Sequence, residues 1–160
     1  MNERKILLIL IVLFIIFAAA SLITISRAED DGYYVLCKPG GSVNVRSRPD
    51  KSAPVVGWVQ FGRHVHTDGK EKNGFIHVTD LAAEETDGWV YAGFLVYDLP
   101  RDEAYRAEVW GGPVIARNCV GGKQIGRLKD GTIVTVYARS NAWAYTNKGY
   151  VMCDWLREVE

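Results

Sequence analysis

The cysteines and histidines are the chain's candidates for nucleophilic or acid–base chemistry: Cys37, Cys119, Cys153, His64, His66 and His77. A cysteine nucleophile needs a base, such as histidine, within hydrogen-bonding reach. The histidines fall between positions 64 and 77, whereas two of the cysteines come after position 118. The sequence shows no catalytic pairing, and it therefore predicts that the protein is not an enzyme.

The histidines also raise the question of a metal site. His64 and His66 stand two apart on a predicted strand, so their side chains point to the same face. With His77 they could form a three-histidine site, but scattered surface histidines are the favoured interpretation. No Cys-x-x-Cys pair is present, and the acidic run 80–87 is typical of a solvated loop rather than a calcium site. We expect no metal and no cofactor.

The N-terminus is the most hydrophobic part of the chain. A short basic start, residues 1–5, precedes an apolar stretch from Ile6 to Ile25, and Ser26-Arg27-Ala28 follows with small residues at the positions that a signal peptidase reads. This pattern predicts a signal peptide over residues 1–28 and a location outside the cell or in the cell envelope. An apolar stretch of about 20 residues can also span a bilayer, so residues 6–25 are alternatively a retained membrane anchor.

The charge balance of the remaining chain excludes one class of partner. Without residues 1–28 the protein keeps 16 basic and 18 acidic residues, a formal charge of −2. Nucleic-acid binding needs a basic face that neutralises phosphates. We therefore expect no nucleic-acid partner, and contact with a membrane only through residues 6–25 if they are not cleaved.

The remainder of the chain consists of short strand-like runs separated by glycine and turn residues. Val43-Asn44-Val45-Arg46 alternates with period two, and 55–59, 63–66, 88–91 and 133–137 have strand-forming composition. No helical periodicity is present after residue 28. Closely spaced short strands with turn signals predict an all-β barrel or sandwich.

Residues 33–160 contain two diverged copies of one pattern. Val43-Asn44-Val45-Arg46 matches Val114-Ile115-Ala116-Arg117, and both copies have two glycines five apart, at 57 and 62 and at 126 and 131. The segment 88–95 likewise matches 149–156, with aromatic, valine and leucine residues in the same places. The first copy carries about eight extra residues, which fit at 70–73 or 80–87. We expect two separately folding domains, with core residues Val43, Val45, Val90, Leu95, Val114, Val134, Val151 and Leu156.

This ordered set of motifs resembles the bacterial SH3 (SH3b) family. The family begins with Val-x-Val-Arg and a Pro/Asp/Ser-rich loop, and it ends with Gly-Trp-Val followed by an aromatic and a leucine. Here 43–49 and 88–95 match it closely, and the second copy matches it more loosely. The resemblance implies two tandem small SH3-like β-barrels after an N-terminal signal or anchor helix, at 35–97 and 107–160, joined by a linker at 98–106.

Aromatic side chains are the candidate ligand contacts. In such barrels some aromatics fill the core and others line a shallow surface groove. Alternation places Trp89 and Tyr91 on the face opposite Val90, and Tyr150 opposite Val151. Exposed aromatics on rigid strands suit binding to peptides or sugars. The candidate ligand-binding residues are Trp58, Phe75, Trp89, Tyr91, Trp143, Tyr145 and Tyr150.

The cysteines of the second copy suggest a disulfide. Cys119 and Cys153 stand where the first copy has Arg48 and Ala92. Their joint presence in one copy predicts a bridge between them, with Cys37 free. Two unrelated buried small residues are the alternative, because cysteine often serves as a small hydrophobe.

The resemblance implies a function in binding. Bacterial SH3 domains occur outside the cell and are often taken to bind peptidoglycan stem or bridge peptides. The leading hypothesis is therefore an exported, non-catalytic module that binds cell-wall peptides. The alternative is an extracytoplasmic protein–protein adaptor or sensor that its N-terminal helix tethers.

Overall fold

A computed structural model describes residues 32–79 and 87–160, and this part of the protein is all-β. Its strands form two seven-stranded antiparallel sheets, each with one short 3-10 helix. The first contains β1 (Gly32–Val35), β2 (Ser42–Arg46), β3 (Val55–Gln60), β4 (His64–Lys72), β5 (Phe75–Thr79), β6 (Gly88–Tyr91), η1 (Ala92–Phe94) and β7 (Leu95–Val96). The second contains β8 (Tyr105–Val109), β9 (Val114–Arg117), β10 (Gln124–Leu128), β11 (Ile133–Arg139), β12 (Trp143–Thr146), β13 (Gly149–Met152), η2 (Cys153–Trp155) and β14 (Leu156–Val159). The predicted fold class, two tandem small β-barrels, is confirmed; we call them barrel 1 and barrel 2.

The two barrels have the same topology. The strand order is β3-β2-β6-β5-β4-β1-β7 in barrel 1 and β10-β9-β13-β12-β11-β8-β14 in barrel 2. Each strand of barrel 2 thus takes the place of the strand seven numbers earlier. The sequence repeat is therefore a repeat of structure, and residues can be compared position by position.

Each barrel encloses its own apolar core, as the period-two pattern predicts. Val45, Val90, Val134 and Val151 are essentially inaccessible to solvent, because alternate residues of a strand face the same side of the sheet. Of the other predicted core residues, Val43, Leu95 and Val114 are also buried. Leu156 is partly buried and packs against the core of barrel 2. Burying one such side chain stabilises the fold by roughly 1.5–3 kcal/mol.

One glycine in each barrel allows two strands to cross closely. A Cβ on Gly88 would lie 2.7 Å from the carbonyl oxygen of Arg46, and a Cβ on Gly149 would lie 2.6 Å from that of Arg117. Gly149 also has a φ of 103°, a conformation that L side chains rarely adopt. The repeated glycine is therefore required by backbone contact.

A third apolar cluster joins the two barrels, and the sequence did not indicate it. Leu36 and Val96 of barrel 1 are buried with Ala138 and Tyr150 of barrel 2. The Tyr150 hydroxyl donates to the carbonyl of Leu36 at 3.1 Å. Residues 31–160 accordingly form one compact unit. Separate folding of the two barrels stays a prediction.

The segment expected as a linker, 98–106, is partly paired with barrel 2. Arg101 and Arg139 exchange two backbone hydrogen bonds, of 2.7 and 3.0 Å, and the Asp98 carboxylate accepts the amide of Asn141. Strand β8 already begins at Tyr105. The connection between the barrels is thus held against barrel 2 along much of its length.

Part of the sequence-based interpretation falls outside the described residues. The signal peptide or anchor at 1–28 lies there, and so does most of the acidic run 80–87. Within 32–79 and 87–160, no helix is long and apolar enough to cross a membrane. Residues 70–73, the other place expected for the insertion, extend the β4–β5 hairpin.

Candidate functional site

A pocket of about 280 Å³ lies where barrel 1 meets barrel 2. Strands β2, β5 and β6, the loop after β2 and η1 supply most of its wall, and the loop after β9 closes it from barrel 2. We call it the inter-barrel pocket. Its lining residues are Asn44, Arg46, Lys51, Phe75, Tyr91, Phe94, Asn118 and Cys119.

Three aromatic rings form the apolar wall of this pocket. Phe75 and Tyr91 are directly paired on β5 and β6, with ring centroids 5.3 Å apart in an edge-to-face arrangement. Phe94 continues the series 6.2 Å from Tyr91. Such pairs hold each other in position, so the wall offers a fixed apolar surface to a ligand.

Two cations stand against this wall. Lys51 Nζ lies 4.7 Å from the centroid of the Tyr91 ring, a cation–π contact. Arg46 Nη1 donates to the carbonyl of Ala53 at 2.7 Å, and this bond links β2 to the loop that follows it. The guanidinium has five N–H donors, so the others do not take part in this bond. Among the described residues, the lining includes two amides and no carboxylate. The pocket is therefore suited to a ligand that joins an anionic group to an apolar body.

Barrel 2 completes the pocket through Cys119. A Cβ on Gly93 would lie 2.5 Å from Cys119 Sγ, and the amide of Val120 donates to the carbonyl of Gly93 at 2.9 Å. Burial raises the pKa of the Cys119 thiol, whereas its hydrogen bond with Tyr91 and the charge of Lys51 act in the opposite direction. The thiol is thus a wall of the pocket rather than an activated nucleophile.

Two of the predicted ligand-binding residues lie in the inter-barrel pocket. Phe75 and Tyr91 line the inter-barrel pocket. Trp89 packs against His77 with centroids 5.1 Å apart, and Trp58 is 61% exposed; neither lines the pocket. Tyr145 contributes to a separate cleft of about 630 Å³ with Lys38 and Asp102.

The environment of Tyr150 differs from the exposed position that strand alternation predicts. The residue does lie opposite the core of its own barrel, but it is only 3% exposed because barrel 1 covers it. Its environment raises its pKa, chiefly through burial. Tyr150 is therefore a contact between the barrels and does not face a ligand.

Six of the eight lining residues are absent from the ligand contacts predicted from the sequence: Asn44, Arg46, Lys51, Phe94, Asn118 and Cys119. Asn44 and Arg46 alternate with the core residues Val43 and Val45, so the period-two pattern placed them on the outer face. The prediction names only aromatic side chains as ligand contacts, so it does not include Asn44 and Arg46. Asn118 had no signal in the sequence, because only the packing of the two barrels brings it to the site.

The structure gives no support to the predicted disulfide. All three cysteines are free thiols. Tyr150 pairs with Arg117 across antiparallel β9 and β13, so Cys119 and Cys153 lie beyond opposite ends of this strand pair. Cys119 Sγ lies against Gly93, whereas Cys153 Sγ donates to the carbonyl of Ser140, so the two thiols have different neighbours.

We accordingly expect three titratable thiols per chain under denaturing, non-reducing conditions. In the native protein their labelling should be slow, because burial raises the pKa of Cys37 to about 11 and also raises the pKa values of Cys119 and Cys153. Mass spectrometry after alkylation counts the labels. A single label per denatured chain would instead support the disulfide between Cys119 and Cys153.

The histidines do not assemble into a metal site. His64 and His66 are neighbours, with ring centroids 4.7 Å apart. His77 instead lies 3.1 Å from the carboxylate of Asp68. Among the described residues, no group of three or more His, Cys, Asp or Glu side chains is placed to hold a metal ion.

Comparison with known families identifies barrel 1. Residues 41–96 match the model of the bacterial SH3 domain family. Barrel 1 is a bacterial SH3 domain. Domains of this family are non-catalytic binding modules, and the match covers β2 to β7 together with most of the inter-barrel pocket.

Similar solved structures include NlpC1 and NlpC2 of Trichomonas vaginalis, each 20% identical to this chain. The TM-scores are 0.32 and 0.34. The comparison covers 79% of this chain but only 45% of NlpC1 and 47% of NlpC2, so the chain spans less than half the length of either protein. No curated protein matches the chain.

Proposed function

We propose that this protein is an exported, non-catalytic binding module that recognises cell-wall peptides through the inter-barrel pocket. The observation that carries the proposal is the chemistry of the pocket: its described lining residues supply two cations and three aromatic rings, and none of them is a carboxylate. Peptidoglycan stem peptides carry free carboxylates next to small apolar side chains. The family membership of barrel 1 supports the same class of ligand.

Export is the second part of the proposal, and it rests on residues 1–28. Their basic start, apolar stretch and Ser26-Arg27-Ala28 exit are the features of a secretory signal. The absence of a catalytic role rests on the thiols, since the pKa of each is raised. A thiol of raised pKa is a poor nucleophile at neutral pH.

A co-sedimentation assay with purified peptidoglycan sacculi tests the proposed function. The full-length protein should bind, and Lys51→Glu should weaken binding about tenfold or more, because a charge-assisted contact is lost and repulsion replaces it. Arg48→Glu is the matched control, since Arg48 lies in the same loop and does not line the pocket. It should leave binding within about twofold.

Two results would contradict the proposal. Equal losses in Lys51→Glu and Arg48→Glu would indicate general charge attraction rather than the pocket. No sedimentation of the unaltered protein would exclude cell-wall recognition and favour the adaptor or sensor tethered by its N-terminal helix.

A further inference from the structure

Barrel 2 has a pocket of its own, of about 230 Å³, which none of the described residues covers. It lies among β9, β12, β13, η2 and the loop before β9, and we call it the barrel 2 pocket. Ile115, Arg117, Trp143, Met152 and Trp155 supply its larger side chains.

This pocket occupies the position in barrel 2 that the inter-barrel pocket occupies in barrel 1. Arg117 takes the place of Arg46, and its Nη1 donates to the carbonyl of Gly122 at 2.7 Å, as Arg46 does to Ala53. Trp143 stands in the place of Phe75 and Trp155 in that of Phe94. Two diverged copies thus keep an arginine beside aromatic rings at the same point of the fold.

The differences between the pockets determine what each can bind. Asn44 is replaced by Ile115 and Tyr91 by Met152, so two polar groups become apolar. The loop after β9 closes between residues 118 and 123, whereas the loop after β2 closes between residues 47 and 54. The shorter loop leaves no counterpart of Lys51. In the part of the chain that the structure describes, the barrel 2 pocket is therefore lined by one cation and an apolar wall, without a carboxylate.

Large apolar side chains of this region are exposed, and one of them, Trp110, is held in place by its contacts. Met152 is 40% exposed, and Trp110 and Trp155 are each 39% exposed. The Trp110 indole donates to the carbonyl of Asp154 at 3.2 Å, and the guanidinium of Arg157 lies 3.8 Å above its ring. Fixed, exposed indoles offer binding area at little cost in conformational entropy.

Another barrel does not fit this face. In barrel 1, Leu36, Gly93 and Val96 are buried at the contact with barrel 2. The equivalent positions in barrel 2 are Trp110, Asp154 and Arg157, and all three are exposed. Charged residues at two of the three positions would have to lose their solvation against a second barrel. The occupant is therefore smaller than a domain.

We propose that the barrel 2 pocket is a second, independent ligand site that binds a peptide carrying an apolar side chain next to a carboxylate. The side chain packs between Trp143, Trp155 and Met152, and Arg117 takes the carboxylate. The ligand is less polar than that of the inter-barrel pocket, since it meets one cation instead of two. The site does not depend on cell-wall binding by barrel 1.

Fluorine NMR of the full-length protein in lipid nanodiscs, labelled with 5-fluorotryptophan, tests this site directly. The probe is N-acetyl-L-leucine, and N-acetyl-L-leucinamide is the same molecule without its charge. The acid should shift the Trp143 and Trp155 signals saturably, and the amide should bind about tenfold more weakly, as expected for the loss of a charge-assisted hydrogen bond. The Trp58 signal should not move.

Variants separate ligand binding from folding. Arg117→Gln should abolish the preference for the acid over the amide. Ile115→Asn introduces the residue type that barrel 1 has at the equivalent position, and it should weaken the binding of both probes severalfold. Arg46→Gln in the other pocket should change neither result.

Unmoved Trp143 and Trp155 signals would overturn the proposal, and so would an unchanged acid preference in folded Arg117→Gln. Trp155 shifts that depend on protein concentration without any probe would also overturn it, because they would show that a second copy covers the face.

Discussion

Replacing Tyr150 with alanine should lower the free energy of unfolding by about 3–5 kcal/mol, the range for truncating a large buried aromatic side chain. Tyr150 lies in the cluster that joins the barrels, and its hydroxyl satisfies the carbonyl of Leu36. The substitution therefore removes both the apolar contact and the hydrogen bond between the barrels. Guanidinium unfolding followed by tryptophan fluorescence measures the loss.

Two further variants show which part of the Tyr150 contact matters. Tyr150→Phe keeps the ring and leaves the Leu36 carbonyl without its partner, so it should cost about 1–3 kcal/mol. Tyr137→Ala is the control, because Tyr137 is an exposed tyrosine of the same barrel, and it should change stability much less. A Tyr150→Ala protein as stable as the Tyr137→Ala protein would mean that the contact between the barrels contributes nothing.

Replacing Gly149 with alanine should also destabilise the protein, by about 2–5 kcal/mol. The added Cβ would lie 2.6 Å from the Arg117 carbonyl and 2.7 Å from Ile125, and overpacking of this kind costs about 1–3 kcal/mol. The φ of 103° adds strain of about 1–2 kcal/mol for a residue with a side chain. Because the carbonyl belongs to a paired strand, it cannot move away without disturbing β9.

Gly126→Ala is the matched control for this prediction. A Cβ at Gly126 meets nothing within 4 Å, and its φ is not in the left-handed region. It should change the unfolding free energy by no more than about 0.5 kcal/mol. Similar melting curves for the two variants would show that the close crossing of β9 and β13 is not needed for stability.

The sequence predicts the inside of each barrel well because the signal is local. Val43 and Val45 alternate with polar residues along one strand, and alternation alone decides which side of a sheet a residue faces. The repeat then extends that assignment to Val114 and Val151. The buried valines of both cores follow from this argument.

The pocket and the contact between the barrels could not be predicted in the same way. Cys119 meets Gly93 and Tyr150 meets Leu36, and these pairs are far apart in the sequence. An outward-facing residue has the same pattern whether solvent or a second barrel covers it. The sequence pattern therefore predicts a ligand contact for Tyr150, whereas the residue belongs to the interface between the barrels. The expected disulfide is absent for a related reason: equivalent positions in two repeats give no distance between two residues of the same repeat.

The backbone pairing of Arg101 with Arg139 makes the connection between the barrels a spacer rather than a tether. A flexible link lets two modules search for separate partners, and the avidity that it gives depends on its length. Here folding itself fixes the distance and direction from one pocket to the other. A polymer that displays its binding groups at a matching interval would engage both pockets without further loss of chain entropy. A polymer with another interval would be held by one pocket at a time, so the protein would select its target by spacing as well as by chemistry.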